Sequence, residues 1–268
     1  MGDALAWARE RGLARLDAQL LLAHRLRQTR SWLLAHDDME LGASEADYID
    51  DVTRRAAGEP LAYLVGEREF HGLRLAVTPA VLVPRPDTEV LVDWAIELLA
   101  ETGRPQVLDL GTGSGAIALA VKHRCPQAEV TATDASAAAL AVAAGNARQL
   151  GLSVQLLHGD WWQPLAGRRF DLVLANPPYI AGDDPHLAAL GYEPRSALTP
   201  EGDGLAALRA IVSGAPEHLQ PGGWLLLEHG FDQAQAVQAL LDARGFVSIH
   251  TRRDLGAQPR CTGACWRE

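Results

Sequence analysis

The sequence predicts an α/β protein: a doubly wound, mostly parallel sheet preceded by a small all-α domain and joined to it by a β-hairpin linker. Three observations predict it. Short apolar runs alternate with helical stretches from residue 87 onward. The first sixty or so residues carry helical periodicity alone, and one apolar run leads straight into a glycine-rich turn. Such alternation means βαβ units, with helices on both faces of a sheet whose ligands bind at the C-terminal ends of the strands.

Taken in order, Leu13, Leu16, Leu20, Leu21 and Leu26 recur at helical spacing with Arg15, Arg25 and Arg27 between them. A second helix is signalled by Ser44 with Asp47 three residues on, a pattern like a capping box, and by Gly58 just past its end. Charge is uneven here: residues 1–30 hold six arginines and three acids, whereas residues 37–51 hold seven acids and no base. Either two solvated helix faces pair with each other, or the unit docks a protein partner. Between Arg68 and Val83 the apolar residues Phe70, Leu73, Leu75, Val77, Val81 and Val83 fall mostly at alternate positions, punctuated by Gly72 and Pro79, which reads as a hairpin. Strands are expected at Gln106–Leu110, Glu129–Thr133, Val154–His158, Asp171–Ala175, Trp224–Glu228 and Phe246–His250. Helices are expected at Asp87–Glu101, Ser136–Leu150 and Gln233–Ala243. The predicted divisions are residues 1–67, 68–85 and 86–268.

Composition narrows the function classes. With 268 residues, 48% of them hydrophobic and 22% charged, the chain is globular, with room for two unequal domains. Its formal net charge of −10 disfavours tracking a phosphate backbone over the whole surface. Three cysteines, Cys125, Cys261 and Cys265, cannot form a disulfide framework, which implies a reducing cytoplasm. No run approaches the roughly 20 apolar residues of a membrane span. No metal-ligand spacing is found: Cys261 and Cys265 have no partnered pair at zinc spacing and fall on an expected C-terminal strand. His71, His158 and His229 read as strand-adjacent packing or polar contacts.

The first apolar run ends in Asp109-Leu110-Gly111-Thr112-Gly113-Ser114-Gly115, and a helix follows. Glycines allow a tight turn and let a ligand lie against exposed N–H groups. The spacing is G-x-G-x-G, which differs from the G-x-G-x-x-G of dinucleotide sites. Nineteen residues past Gly115, at the end of the next strand, stands Asp134, whose carboxylate suits two ribose hydroxyls. Strand, glycine loop, helix, strand and acid together point to an adenosine-containing cofactor. The bland alternative is a tight turn with Asp134 capping the next helix. Asp109 is an acid at a buried strand end, serving either a ligand or backbone N–H groups. Gly159-Asp160-Trp161-Trp162 follows the third strand, and its aromatic surface beside an acid suits an adenine; the tryptophans can equally be core residues.

The fourth strand ends in Asn176-Pro177-Pro178-Tyr179. Two prolines fix the loop and remove two donors, leaving carbonyls free to accept. With the Asn176 side-chain oxygen they can hold both hydrogens of a planar NH₂ group, and the Tyr179 ring gives a flat amide or base a surface to stack on. That suits a nitrogen conjugated to an sp² carbon, whose lone pair is poorly nucleophilic.

Glycine loop and NPPY loop together resemble the class I S-adenosylmethionine-dependent methyltransferases that modify amino nitrogens. Further segments resemble one family among them, the release factor glutamine methyltransferases: Glu59-Pro60-Leu61-Ala62-Tyr63, the stretch from Gly66 to Gly72 with Phe70, Val83-Pro84-Arg85-Pro86-Asp87-Thr88-Glu89, and Glu193-Pro194-Arg195. The match runs from about residue 58 to the C-terminus. Two departures stand out: Asp87 where Glu is more usual, and Thr199-Pro200-Glu201 in place of a more glycine-rich stretch. The resemblance implies methyl transfer from S-adenosylmethionine, with S-adenosylhomocysteine as product. The acceptor it implies is the glutamine side-chain amide nitrogen (N5) in the Gly-Gly-Gln loop of class I peptide chain release factors. It places Asp109, Gly111, Thr112, Gly113, Ser114, Gly115, Asp134, Asp160, Trp161 and Asn176 at the cofactor. Asn176, Pro177, Pro178 and Tyr179 go to the glutamine, with Asn176, Pro177 and Tyr179 catalytic. Residues 1–67 become a substrate-docking domain of a monomeric, cytoplasmic enzyme that touches neither nucleic acid nor membrane.

Three other readings compete. An adenine-N6 or cytosine-N4 DNA methyltransferase uses a similar loop but must extrude a base and grip phosphates. No basic recognition region is visible here, and Asp183, Asp184 and Glu193 follow the loop. A second reading is methylation of another protein, such as a ribosomal one. A third is a cofactor-binding scaffold, against which the intact NPPY loop argues, because binding alone needs no acceptor pair.

Overall fold

The computed structural model describes residues 1–267 and divides into two compact units, Met1–Glu67 and the remainder from Arg68 onward. The first unit holds helices α1 (Gly2–Glu10), α2 (Arg15–Leu26), α3 (Arg30–Ala35), α4 (Glu45–Ala56) and α5 (Leu61–Val65). Its core gathers Ala18, Leu21, Leu22, Leu33, Tyr48 and Val52. The apolar stripe of α2 is narrower than its leucines suggest, since Leu16 is 48% exposed. Part of the charge contrast is met inside the unit. Arg25 on α2 forks onto both oxygens of Asp51 on α4, whose side chain is fully buried, and Arg55 on α4 meets Asp17 on α2 at 2.8 Å. The capping box expected at Ser44 does not form. Gly42–Ser44 is a 3₁₀ turn that runs directly into α4, so Ser44 has helical dihedrals and its hydroxyl caps nothing.

In the second unit β1 (Glu67–Phe70) and β2 (Leu73–Ala76) form the hairpin, closed by His71 and Gly72 at positive φ. The second strand ends seven residues before the alternation does. Val77, Val81 and Val83 are buried as irregular chain, because side chains satisfy the backbone there. Asn146 takes both polar groups of Ala76, and Glu193 accepts from the Val83 N–H. A 3₁₀ turn at Pro86–Thr88 leads into α6 (Glu89–Leu99).

The rest alternates: β3 (Gln106–Leu110), α7 (Ala116–Arg124), β4 (Glu129–Asp134), α8 (Ala137–Leu150), β5 (Gln155–His158), β6 (Phe170–Ala175), α9 (Arg195–Leu198) and α10 (Ala206–His218). It closes with β7 (Leu219–Glu228), α11 (Ala234–Ala243), β8 (Val247–Arg253) and β9 (Pro259–Cys265), the last carrying Cys261 and Cys265. The sheet order is β5-β4-β3-β6-β7-β9-β8, with β9 antiparallel to both neighbours and the other pairings parallel. Alternate residues feed two apolar layers: Val107, Leu172, Leu174 and Leu226 join α6 and α7 on one face, while Leu108, Leu110, Val173, Leu225 and Leu227 join α10 and α11 on the other. The chain order reverses at β3, opening a crevice at the C-terminal edge.

One buried amide braces that crevice. Asn146 of α8 is 1% exposed; its Oδ1 accepts from Ala76 N at 2.7 Å, and its Nδ2 donates to Ala76 O at 3.0 Å and Ser114 O at 2.9 Å. It ties the end of β2 to the glycine loop. Asn146→Ala orphans these buried groups and is expected to cost about 2–4 kcal/mol of unfolding free energy. Denaturant titration checks this, and wild-type stability in the variant would show the brace to be dispensable.

Candidate functional site

The glycine loop folds back on β4. Gly111 N and Thr112 N both donate to Thr133 O at 2.9 Å, and Gly113 N donates to Asp134 Oδ2 at 2.8 Å. Asp134 Oδ1 accepts from Ser136 N at 2.8 Å. The next helix, α8, is capped by Ser136, whose hydroxyl accepts from Ala139 N. Asp134 therefore stands half-buried at the strand end as a carboxylate steered by two backbone donors. Gly115 starts α7 at φ +84, and a Cβ there would sit 3.0 Å from Leu119 and 3.3 Å from Ala143. Only glycine lets α7 and α8 approach so closely.

Beneath the loop lies Asp109, fully buried. Its Oδ2 accepts from Thr112 Oγ1 at 2.6 Å and from Ala118 N at 3.2 Å, so the carboxyl does serve the start of α7. Its Oδ1 has no partner among the described residues. Burial pushes the carboxyl up to about 7, against the bonds from Thr112 and Ala118 and helped by the charge of Asp134. An unpaired buried acceptor of that kind is a place for a donor or a cation.

A cleft of about 430 Å³ opens above these groups, a size that takes a cofactor or drug-sized ligand. One wall is Gly111 to Ser114, Asp134 to Ser136, and Gly159 to Trp161; the other includes Pro84, Arg85, Thr88, Asn176, Pro178 and Ser196. Asp109 and Gly115 lie behind the first wall, and Asp160 is exposed at the rim. Trp161 rests its ring against Gly111, 3.4 Å from where a Cβ would stand. Trp162 turns away: it stacks on His218 with ring centroids 4.8 Å apart, and its Nε1 donates to Ala210 O. The fit to an adenosine-containing group is good, since an acid at the second strand end and a ring line one cleft, with an orphaned acceptor buried behind its wall.

The second wall is clamped from far along the chain. Glu193, 6% exposed, accepts from Val83 N at 3.0 Å and pairs with Arg85. Asn176 Nδ2 donates to Thr88 Oγ1 at 3.1 Å. Pro178 lines the cleft, whereas Pro177 is buried and Tyr179 leans toward β7. There the Tyr179 hydroxyl donates to Glu228 Oε1 at 3.3 Å, and Tyr179 O accepts from Gln233 Nε2 at 2.8 Å. Burial, then Glu228, raises the Tyr179 pKa, so the phenol stays neutral. Glu228 is itself pushed up to about 7, chiefly by burial. Sequence reasoning missed Glu228, although the signal that marked Asp109, an acid closing an apolar strand, is present again in Trp224–Glu228. It also missed Asn146 and the pairing of Arg85 with Glu193.

Comparison with known proteins finds relatives along most of the chain. Residues 3–66 match the family model "PrmC N-terminal domain" and residues 88–203 match "Methyltransferase small domain". Among curated relatives, the release factor glutamine methyltransferase of Bordetella pertussis is 56% identical, covering 94% of this chain and 95% of its own. That of Salmonella typhimurium is 43% identical, covering 97% and 95%. Among solved structures, the hMettl16 catalytic domain in complex with an MAT2A 3′UTR hairpin superposes with a TM-score of 0.60 at 16% identity, covering 81% of this chain and 80% of that one. A T. thermophilus 16S rRNA N2 G1207 methyltransferase in complex with AdoMet and guanosine does so with 0.56 at 24% identity, covering 75% and 50%. These two likenesses concern the fold.

The Asp109 carboxyl makes a thermodynamic prediction. Its folded pKa lies above its unfolded value, so its contribution to stability is full at low pH and is lost as pH rises toward 7. Between about pH 4.5 and 7 it should remove about 1 kcal/mol of unfolding free energy per pH unit. Asp109→Asn, which imitates the neutral acid, is expected to remove that slope and leave stability at about pH 3.5 nearly unchanged. Parallel pH profiles for the two proteins would disprove the shift.

Proposed function

The chain belongs to the release factor glutamine methyltransferases and is an S-adenosylmethionine-dependent methyltransferase; from this premise we propose that its acceptor is the side-chain amide nitrogen (N5) of glutamine in the Gly-Gly-Gln loop of class I peptide chain release factors. One observation carries the reading: Asn176 stands on the cleft wall with its Nδ2 committed to Thr88. Its oxygen is thereby left for an incoming N–H.

When bound, S-adenosylmethionine supplies a methyl group already activated by a sulfonium. Gly111, Thr112, Gly113, Ser114 and Gly115 would hold it by the backbone, Asp134 by the ribose hydroxyls, Asp160 and Trp161 by the adenine, and Asp109 through its free oxygen at the methionine end. For the acceptor, Asn176 Oδ1 and the Pro177 carbonyl take one amide hydrogen each, so that the nitrogen lone pair faces the cleft. Pro178 keeps the loop stiff and Tyr179 supplies the flat surface. Holding the nitrogen in line accounts for much of the rate. As positive charge grows on that nitrogen, the two oxygens become stronger acceptors, which is binding specific to the transition state. The proton leaves to water afterwards. Residues 1–67 serve as the docking domain, and the formal net charge of −10 supports a protein partner over nucleic acid for an enzyme that acts as a cytoplasmic monomer.

Two measurements check the reading. Asn176→Ala should keep its fold by circular dichroism and lose about 10²–10³ in kcat, the range for removing one charge-stabilising contact; near-normal turnover would refute the mechanism. Tritiated cofactor offered with release factor, its Gln→Ala variant and duplex DNA should label the intact factor alone. Label in DNA, or equal label in the variant, would refute the acceptor.

A further inference from the structure

An asparagine side chain can meet an amide NH₂ group in two orientations. With Oδ1 forward it accepts the incoming hydrogen; rotated by half a turn it presents its own NH₂ and repels it. What holds Asn176 in the productive orientation lies behind it. Its Nδ2 donates to Thr88 Oγ1 at 3.1 Å, and Thr88 is 4% exposed. A hydroxyl that accepts from an amide still has its own hydrogen to place. Nearby is an acceptor that lacks one: Glu228 Oε2, buried and without a partner, while Oε1 is taken by Tyr179. The sheet sets this up, because Ala175 is in register with Leu227. The next residues, Asn176 and Glu228, therefore leave the sheet at one level. Of the groups around it, Thr88 most opposes the rise of the Glu228 pKa, which puts its hydroxyl beside that carboxyl, although no bond between them is formed in the structure.

We propose that Thr88 and Glu228 are positioning residues that lock the Asn176 amide with its oxygen toward the acceptor nitrogen. The Glu228 carboxylate accepts from the Thr88 hydroxyl, and that hydroxyl accepts from Asn176 Nδ2. The reverse arrangement requires Thr88 to donate to Asn176 Oδ1, which takes the hydrogen away from a buried carboxylate and is costly. The lock rests on the reading of the acceptor as a planar amide.

The lock depends on the charge of Glu228. The groups facing it are the Tyr179 phenol, Asp87, Arg260 and, across the antiparallel pair, Cys261. Tyr179 and Cys261 stay neutral because burial raises both. Arg260, held by Asp254 at 3.1 Å and Asp87 at 3.5 Å, favours the carboxylate. Once protonated, the carboxyl can itself donate to Thr88 Oγ1, which frees the hydroxyl to donate to Asn176 Oδ1 and turn the amide. Turnover should therefore rise with pH through about 7.

The test compares wild type, Thr88→Val, Thr88→Ser and Glu228→Gln. The readouts are kcat and KM for release factor from pH 6 to 9, cofactor affinity by calorimetry, and the Asn176 side-chain amide resonances in ¹⁵N spectra. Thr88→Val should lower kcat by about 10- to 100-fold, the range for losing a group that orients a functional side chain, with cofactor affinity unchanged. It should also move the Asn176 resonances. Thr88→Ser should restore most of both, and Glu228→Gln should flatten the rise in kcat near pH 7. A folded Thr88→Val with wild-type kcat and resonances would overturn the lock, as would a serine variant as poor as valine or a Glu228→Gln that keeps the wild-type pH profile. A wild-type enzyme that leaves release factor unlabelled overturns the acceptor instead, and the Asn176 resonances still report the orientation.

Discussion

Strand register at the point where the sheet reverses is the constraint on which everything else depends. Leu110 of β3 is opposite Thr133 of β4 on one side and Ala175 of β6 on the other, and Ala175 is opposite Leu227 of β7. The glycine loop, Asp134, Asn176 and Glu228 therefore emerge along one edge. A slip of one residue would send each side chain to the opposite face, placing Asp109 among the leucines that pack on α10 and α11. Two buried apolar layers, each needing its own alternate residues, hold that register.

Along this edge the protein keeps two half-satisfied acids. Asp109 has Oδ2 paired and Oδ1 free; Glu228 has Oε1 paired and Oε2 free. Burial raises the pKa of both. An acceptor left open in a low dielectric gains more from a new donor than one already solvated. The same stability cost thus prepares both ends of the reaction: Asp109 behind the glycine loop, Glu228 behind the loop that holds the acceptor.

How much was legible in the sequence follows from interaction range. β3, β4, β5 and β6 lie within a residue of their predicted limits; β3 and β6, buried inside the sheet, read as apolar runs interrupted by a single aspartate. Asp109, Asp134 and Asn176 were legible because each closes such a run. Where the reading failed, the deciding partner was distant or the local cue was overridden. β2 stops at Ala76 because Asn146, 70 residues on, takes both backbone groups of that residue. Ser44 does not cap because a preceding 3₁₀ turn already continues into α4. Thr88 sits in a segment recognised by resemblance, but its tie to Asn176 spans 88 residues and no pattern in either stretch announces it.

The acceptor pair of the NPPY loop reads only a planar NH₂ group, and a nucleobase presents one as well as an amide does. Discrimination between them must come from surfaces outside the cleft. In the first unit Arg25 and Arg55 are occupied with Asp51 and Asp17 in holding α2 to α4. What remains is the overall balance of 34 acidic against 24 basic residues. A nucleic acid must bring its phosphates wherever it brings its base, and a net negative charge disfavours that. On the proposed reading a protein loop carries a glutamine without that burden, and the same two oxygens would become selective for an amide through the charge of the body that presents them.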